Sequence, residues 1–66
     1  MSSSLIRLLE CAINAAREAA NGRTDIETAE RVYRGARMAG VPRDALAPAR
    51  RFLGAARRAE ARAVLA

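Results

Sequence analysis

Residues 36–42 read ARMAGVP, the pattern of a helix end followed by a sharp turn. Gly40 is expected to take the left-handed conformation that follows a last helical turn, and Val41 to add a small hydrophobic contact. Pro42 then blocks continuation of the helix. A second stop of this kind lies at Asn21 and Gly22. The two stops divide the 66 residues into three segments, and the apolar residues of each follow helical spacing.

The first two segments each combine a start signal with an apolar side. The first is predicted to be a helix over residues 5–20 with Ser4 as its N-cap, and the second a helix over residues 25–39. Thr24 and Glu27 have the spacing of a capping box at the start of the second helix. The residues predicted to face inward are Leu5, Leu8, Leu9, Ala12, Ile13, Ala16, Ala19 and Ala20, followed by Ile26, Ala29, Val32, Tyr33, Ala36 and Ala39.

The third segment is predicted to start with a short turn over residues 42–46 and to continue as a helix over residues 47–65, kinked at Pro48. Gly35 and Gly54 lie inside predicted helices, where glycine is unfavourable. They indicate either substitutions that the helix tolerates or a close approach of two helix backbones. The apolar side of the third helix is Leu46, Ala49, Phe52, Leu53, Ala56, Ala59, Ala63 and Val64. The predicted fold is all-α, a three-segment helical hairpin or bundle that forms one small domain over residues 1–66.

The predicted core is thin, because about one residue in four is alanine and a buried alanine removes little area from water. Cys11 cannot form an internal disulfide and is predicted to be a small buried hydrophobe. Small scaffolds with thin cores usually gain stability from disulfides, metals or oligomerisation. We therefore expect a homodimer or a higher oligomer.

Several classes of function are excluded by what the sequence lacks. It has no histidine, which rules out Ser-His and Cys-His nucleophile pairs and the usual Cys/His zinc sets. Glu27 and Glu30 lie four residues before Arg31 and Arg34, a spacing that suits salt bridges better than acid–base catalysis. We expect no enzyme, cofactor, metal or small-molecule substrate. Residues 1–10 lack the pattern of a signal peptide or a membrane span, so we expect a cytoplasmic protein.

Positive charge increases along the chain. The net charge is +5, and every basic residue is arginine, which together with the alanine content is typical of GC-rich bacterial coding. Residues 1–22 are neutral, residues 23–42 carry one net positive charge, and residues 43–66 carry six arginines against two carboxylates. This excess is either a solvated helix face or a contact surface for an acidic protein or a nucleic acid.

The candidate partner-binding residues lie late in the second segment and along the third. Arginines seven residues apart share a helix face, and no pattern in the sequence buries them. Aromatic and arginine side chains dominate binding hot spots, although the only tyrosine fits either the core or a contact. The predicted set is Tyr33, Arg37, Met38, Arg50, Arg51, Arg57 and Arg58.

Residues 35–46 resemble the helix-turn-helix of lactose-repressor-type regulators, since Ala36 precedes Gly40 by four positions and Leu46 follows it by six. This resemblance implies a DNA-binding transcriptional regulator, although Pro48 and the length of the second segment depart from the motif. The function we favour is a helical module that binds a protein partner stoichiometrically as a regulator or inhibitor. Small phage or mobile-element proteins that disable a host protein have this general build.

Overall fold

The computed structural model describes residues 1–65, which form three packed α-helices and no strand and are 83% helical. Helix α1 spans Ser3–Ala20, α2 spans Ile26–Ala39 and α3 spans Ala47–Leu65. A 3₁₀ turn over Asp44–Leu46 leads into α3. The prediction of an all-α fold with three helical segments is confirmed.

The first two helices use different N-caps from those predicted. Ser2 rather than Ser4 caps α1, and its Oγ accepts a hydrogen bond of 3.2 Å from the third helical residue. Each serine in this run is a suitable cap, and the use of the first one lengthens the helix. Asp25 rather than Thr24 caps α2, because its carboxylate accepts from the Thr28 N–H at 3.1 Å and carries a charge that suits a helix N-terminus.

Both predicted helix stops are confirmed. Gly22 and Gly40 have φ angles of 74° and 111°, in the left-handed region that glycine adopts without steric cost. After each glycine, the next amide donates to the carbonyl five residues earlier, at 2.8 Å after α1 and 3.0 Å after α2. The residue that does so after α2 is Val41, which is fully buried, so this end has the hydrophobic contact of a Schellman motif.

Helix α1 lies at the centre of the packing and contacts both other helices along its length, whereas α2 and α3 contact each other little. The 3₁₀ turn contacts α1, and residues 56–60 of α3 lie near the α1–α2 connection, so α3 runs parallel to α1 and antiparallel to α2. The molecule measures 44 by 19 by 15 Å. In residues 1–65, no helix is both long and apolar enough to cross a bilayer.

The fully enclosed core consists mainly of alanine. Larger apolar side chains, such as Leu9, Ile13 and Phe52, pack against this core but stay partly exposed. Small side chains let helix axes approach closely, at the cost of little apolar area removed from water. The buried residues are Ala12, Ala16, Ala19, Ala29, Ala36, Val41, Leu46, Ala49, Leu53 and Ala56.

Five residues predicted to face inward are exposed, namely Ala39, Ala59, Ala63, Val64 and Cys11. Residues 57–65 are all exposed, because α3 reaches the end of α1 near residues 56–60 and then continues beyond it. Ala39 is the last residue of α2, and Cys11 lies on the side of α1 turned away from the buried alanines. Helical spacing alone does not show where the neighbouring helix ends.

The proline in α3 has a local explanation, whereas the two glycines inside helices do not mark a close approach of backbones. Pro48 is the second residue of α3, so its missing N–H falls within the first turn, and the change from 3₁₀ to α geometry lies just before it. A Cβ atom at Gly35 would have nothing within 4 Å, and one at Gly54 would meet only the Arg58 side chain at 3.5 Å. Close backbone approach therefore does not explain either glycine.

We predict that Ala16→Leu lowers the free energy of unfolding by about 1–3 kcal/mol, because the added atoms must force α1 away from its neighbours. The matched control Ala61→Leu, on the exposed part of α3, should change it by less than about 0.5 kcal/mol. Urea titrations followed by circular dichroism measure both. Equal stability of the two variants would show that the alanine contacts are not tight.

Substitution by alanine should change stability in opposite directions at Gly35, inside α2, and at Gly40, which follows its last residue. Gly35→Ala should raise the free energy of unfolding by up to about 1 kcal/mol, since this exposed helical site has room for a Cβ. Gly40→Ala should lower it by about 1–2 kcal/mol, because the residue has φ 111°. A stabilising Gly40→Ala, measured in the same titrations, would contradict the left-handed helix end.

Candidate protein-interaction surface

An open groove separates α2 from α3, because α1 holds both helices while they contact each other little. One part of this groove is a hollow of about 290 Å³ beside the middle of both helices. Its floor includes the half-buried Tyr33 and the buried Leu53, and its walls carry charged side chains. The lining residues are Glu30, Tyr33, Arg34, Arg50, Leu53 and Arg57.

Arg50 joins the two walls of this groove. Its guanidinium donates to the Tyr33 hydroxyl at 3.3 Å and to the Arg43 backbone carbonyl at 2.6 Å. The side chain is half-buried, although no pattern in the sequence indicated burial of this arginine. Arg50 therefore ties α3 both to α2 and to the connection between these helices.

A second bridge across the groove is the ion pair between Arg57 of α3 and Glu30 of α2. Glu30 thus pairs with another helix rather than with Arg34 on its own helix, which was the pair suggested by the sequence. Both side chains are partly exposed, so the pair positions the helices more than it stabilises them. The two bridges lie in antiparallel order, since Tyr33 and Glu30 run backwards along α2 while Arg50 and Arg57 run forwards along α3.

Beyond the Arg57–Glu30 pair, the groove continues into a hollow of about 550 Å³ that is acidic. Four of its six lining residues carry carboxylates and one is arginine; the residues are Asp25, Ile26, Glu27, Glu30, Arg57 and Glu60. In residues 1–65, no three metal-ligating side chains converge on one point. The groove thus has a basic half and an acidic half, which meet at the ion pair.

Asp25 at the acidic end has a pKa below its ordinary value of 3.8. The main cause is the hydrogen bond from the Thr28 hydroxyl to Oδ1, at 2.6 Å, followed by the bond from the Thr28 N–H to Oδ2. Both bonds favour the ionised carboxylate, which is the form that caps α2.

The remaining predicted residues separate into different surroundings. Arg37 donates to the Val41 carbonyl at 3.0 Å and so closes the end of its own helix. Met38 is 89% exposed. Arg51 and Arg58 are exposed and, among the described residues, make no hydrogen bond or ion pair. The structure therefore divides the predicted arginine stripe into groove residues and outward residues.

Arg51, Arg58 and Arg62 form the outward arginine row of α3. Their spacings of seven and four residues keep them on one face, and each of them is exposed. Arg50 and Arg57 each lie one residue earlier, about 100° around the helix, which turns them towards α2. Adjacent arginines in the sequence thus serve two different surfaces.

Several groove residues were missed by the sequence analysis. Glu30 lies three residues before Tyr33 and four before Arg34, and this helical spacing could have indicated a shared face. Glu60 and Asp25 come together only through the antiparallel packing of α2 and α3, which no local pattern reveals. Comparison of the chain with protein-family models, curated proteins and solved structures gave no match.

The Asp25 cap should make stability depend on pH in the acidic range. The pKa of Asp25 is lower in the folded protein than in the unfolded chain. The stabilisation by this carboxylate is therefore complete at pH values above the unfolded pKa and is lost as the pH falls through the folded pKa. We predict that the stability difference between wild type and Asp25→Ala is constant from neutral pH to about pH 5 and shrinks below about pH 4. Urea unfolding across this range measures it, and a constant difference down to pH 2 would contradict the assignment.

Proposed function

We propose that this protein is a non-enzymatic helical module that binds an acidic surface on a protein partner and acts stoichiometrically, as a regulator or inhibitor. The observation that carries the proposal is the outward arginine row, whose side chains project from a helix without intramolecular partners in residues 1–65. Arginine forms bidentate bonds with carboxylates and is enriched at binding hot spots. An acidic helix or strand edge matches a row of this kind.

The packing of α2 against α3 supports a protein partner over DNA. In a helix-turn-helix the two helices cross at about 90–120° and meet near the turn. Here Arg50 lies beside Tyr33, Arg57 beside Glu30, and the groove continues along both helices. Such an antiparallel hairpin does not present the start of α3 as a separate recognition helix.

Self-association is part of the proposal. The enclosed core is mostly alanine, and the exposed apolar residues include Ile6, Met38, Val64 and Leu65. Burial between copies adds the apolar area that one chain lacks. We place the action in the cytoplasm, because the exposed free thiol of Cys11 suits a reducing compartment.

We predict that Arg51→Glu with Arg58→Glu weakens partner binding by at least about tenfold and leaves helicity unchanged, since neither side chain contributes to packing. The control is Arg7→Glu with Arg31→Glu, which makes the same change of charge at exposed sites on α1 and α2. Each variant serves as bait in a source-cell lysate, and proteins captured by wild type and control but not by the row variant are purified. Calorimetric titration of these proteins should then give one site per chain or per dimer.

The alternative, DNA binding, predicts a different outcome. Retention on nonspecific duplex DNA would then fall steeply with salt, with a logarithmic slope that becomes shallower in the row variant. A weak slope together with a captured stoichiometric partner supports the proposal. A steep slope, with no protein lost selectively from the row variant, contradicts it.

A further inference from the structure

The groove between α2 and α3 is electrically polarised. The half beside Tyr33 carries Arg34 and Arg50, whereas the other half carries Asp25, Glu27 and Glu60. The Arg57–Glu30 ion pair lines both halves and marks the boundary between them. A surface with one basic and one acidic end is complementary to its own copy when the two are placed in opposite directions.

We propose that this groove is the interface with a second copy of the chain, docked antiparallel about a twofold axis near the Arg57–Glu30 pair. In a twofold interface the same patch is used on both subunits, so the basic end of one copy meets the acidic end of the other. Arg34 and Arg50 of each copy then oppose Glu27 and Glu60 of its mate. Parallel docking would place like charges together and is disfavoured.

The groove also provides apolar surface for such a contact. The half-buried Tyr33 supplies it in the basic half, where Leu53 is already buried, and Ile26 supplies it in the acidic half. A standard interface buries about 800 Å² from each partner. The chain exposes 4500 Å², so the contact needs about one-fifth of its surface. Two elongated helices that lie side by side along a molecule 44 Å long can supply this area.

This inference rests on the self-association proposed above and names its surface. It leaves the outward arginine row available, because Arg51 and Arg58 lie about 100° around α3 from Arg50 and Arg57. A dimer would carry two such rows. Dimerisation and partner binding are therefore separable by mutation.

A charge-swap experiment tests the interface. Arg34→Glu with Arg50→Glu gives both halves of the groove a net negative charge, and Glu27→Arg with Glu60→Arg gives both halves a net positive charge. Light scattering from about 10 to 500 μM should give a dimer for wild type and for the Arg7→Glu, Arg31→Glu control. Each groove variant alone should be monomeric, with dimer affinity weakened at least about a hundredfold. Their equimolar mixture should recover a dimer, seen by native mass spectrometry as one copy of each variant.

Circular dichroism verifies that both groove variants remain helical, and Arg34→Glu alone replaces the acidic variant if loss of the Arg50 bonds unfolds it. Groove variants that dimerise as wild type does, or a mixture of folded variants that stays monomeric, overturn the inference while self-association stands. A wild type that is monomeric at 500 μM overturns both. Selective recovery in the mixture supports the groove as the interface, since only complementary grooves explain it.

Discussion

Contact between small side chains along α1 is the constraint on which the rest of the structure depends. Of the ten buried apolar residues in the described chain, seven are alanine, and they lie on all three helices. Close packing of this kind sets the positions of α2 and α3 against α1. It also buries little apolar area for each residue, so larger side chains such as Leu9 and Phe52 remain at the margins, half-exposed. The exposed area of 4500 Å² exceeds the roughly 4100 Å² expected for a monomeric protein of this size.

The same constraint explains why a groove exists. Because α2 and α3 are each held by α1, they need not pack against each other, and the gap is bridged by long polar side chains instead of apolar ones. Arg50 and Arg57 thus connect the two helices by hydrogen bonds and an ion pair that are partly open to solvent, in place of an apolar contact. Such bridges fix the orientation of the helices but add little stability. A second surface can therefore bind in the groove without displacing a hydrophobic contact between α2 and α3.

The parts of the structure that depend on local sequence were predictable. Both glycine stops, the turn before α3 and the helical character of all three segments follow from residues within a few positions of each other. The N-caps were misplaced because neighbouring serines, or Thr24 and Asp25, are all competent caps and their choice depends on small energy differences. Exposure of Val64 follows from the length of α3 relative to α1, which is a tertiary property.

The sequence allowed us to predict several residues of the candidate site but not which of them lie together. Arg50, Arg51, Arg57 and Arg58 form one stripe when the helix is considered alone, and only the position of α2 separates them into a groove pair and an outward pair. The acidic half of the groove was not foreseen, because Glu60 is distant in sequence from Asp25 and Glu27.

The central claim, that a second copy stabilises a chain whose own core is thin, is tested most directly by thermal unfolding of the wild type at different concentrations. Dimerisation linked to folding predicts that the midpoint rises by about 5 °C or more for a hundredfold increase in chain concentration, from a few micromolar to a few hundred micromolar. A midpoint independent of concentration, with cooperative unfolding throughout, would show that the alanine core supports the monomer alone and would contradict the account.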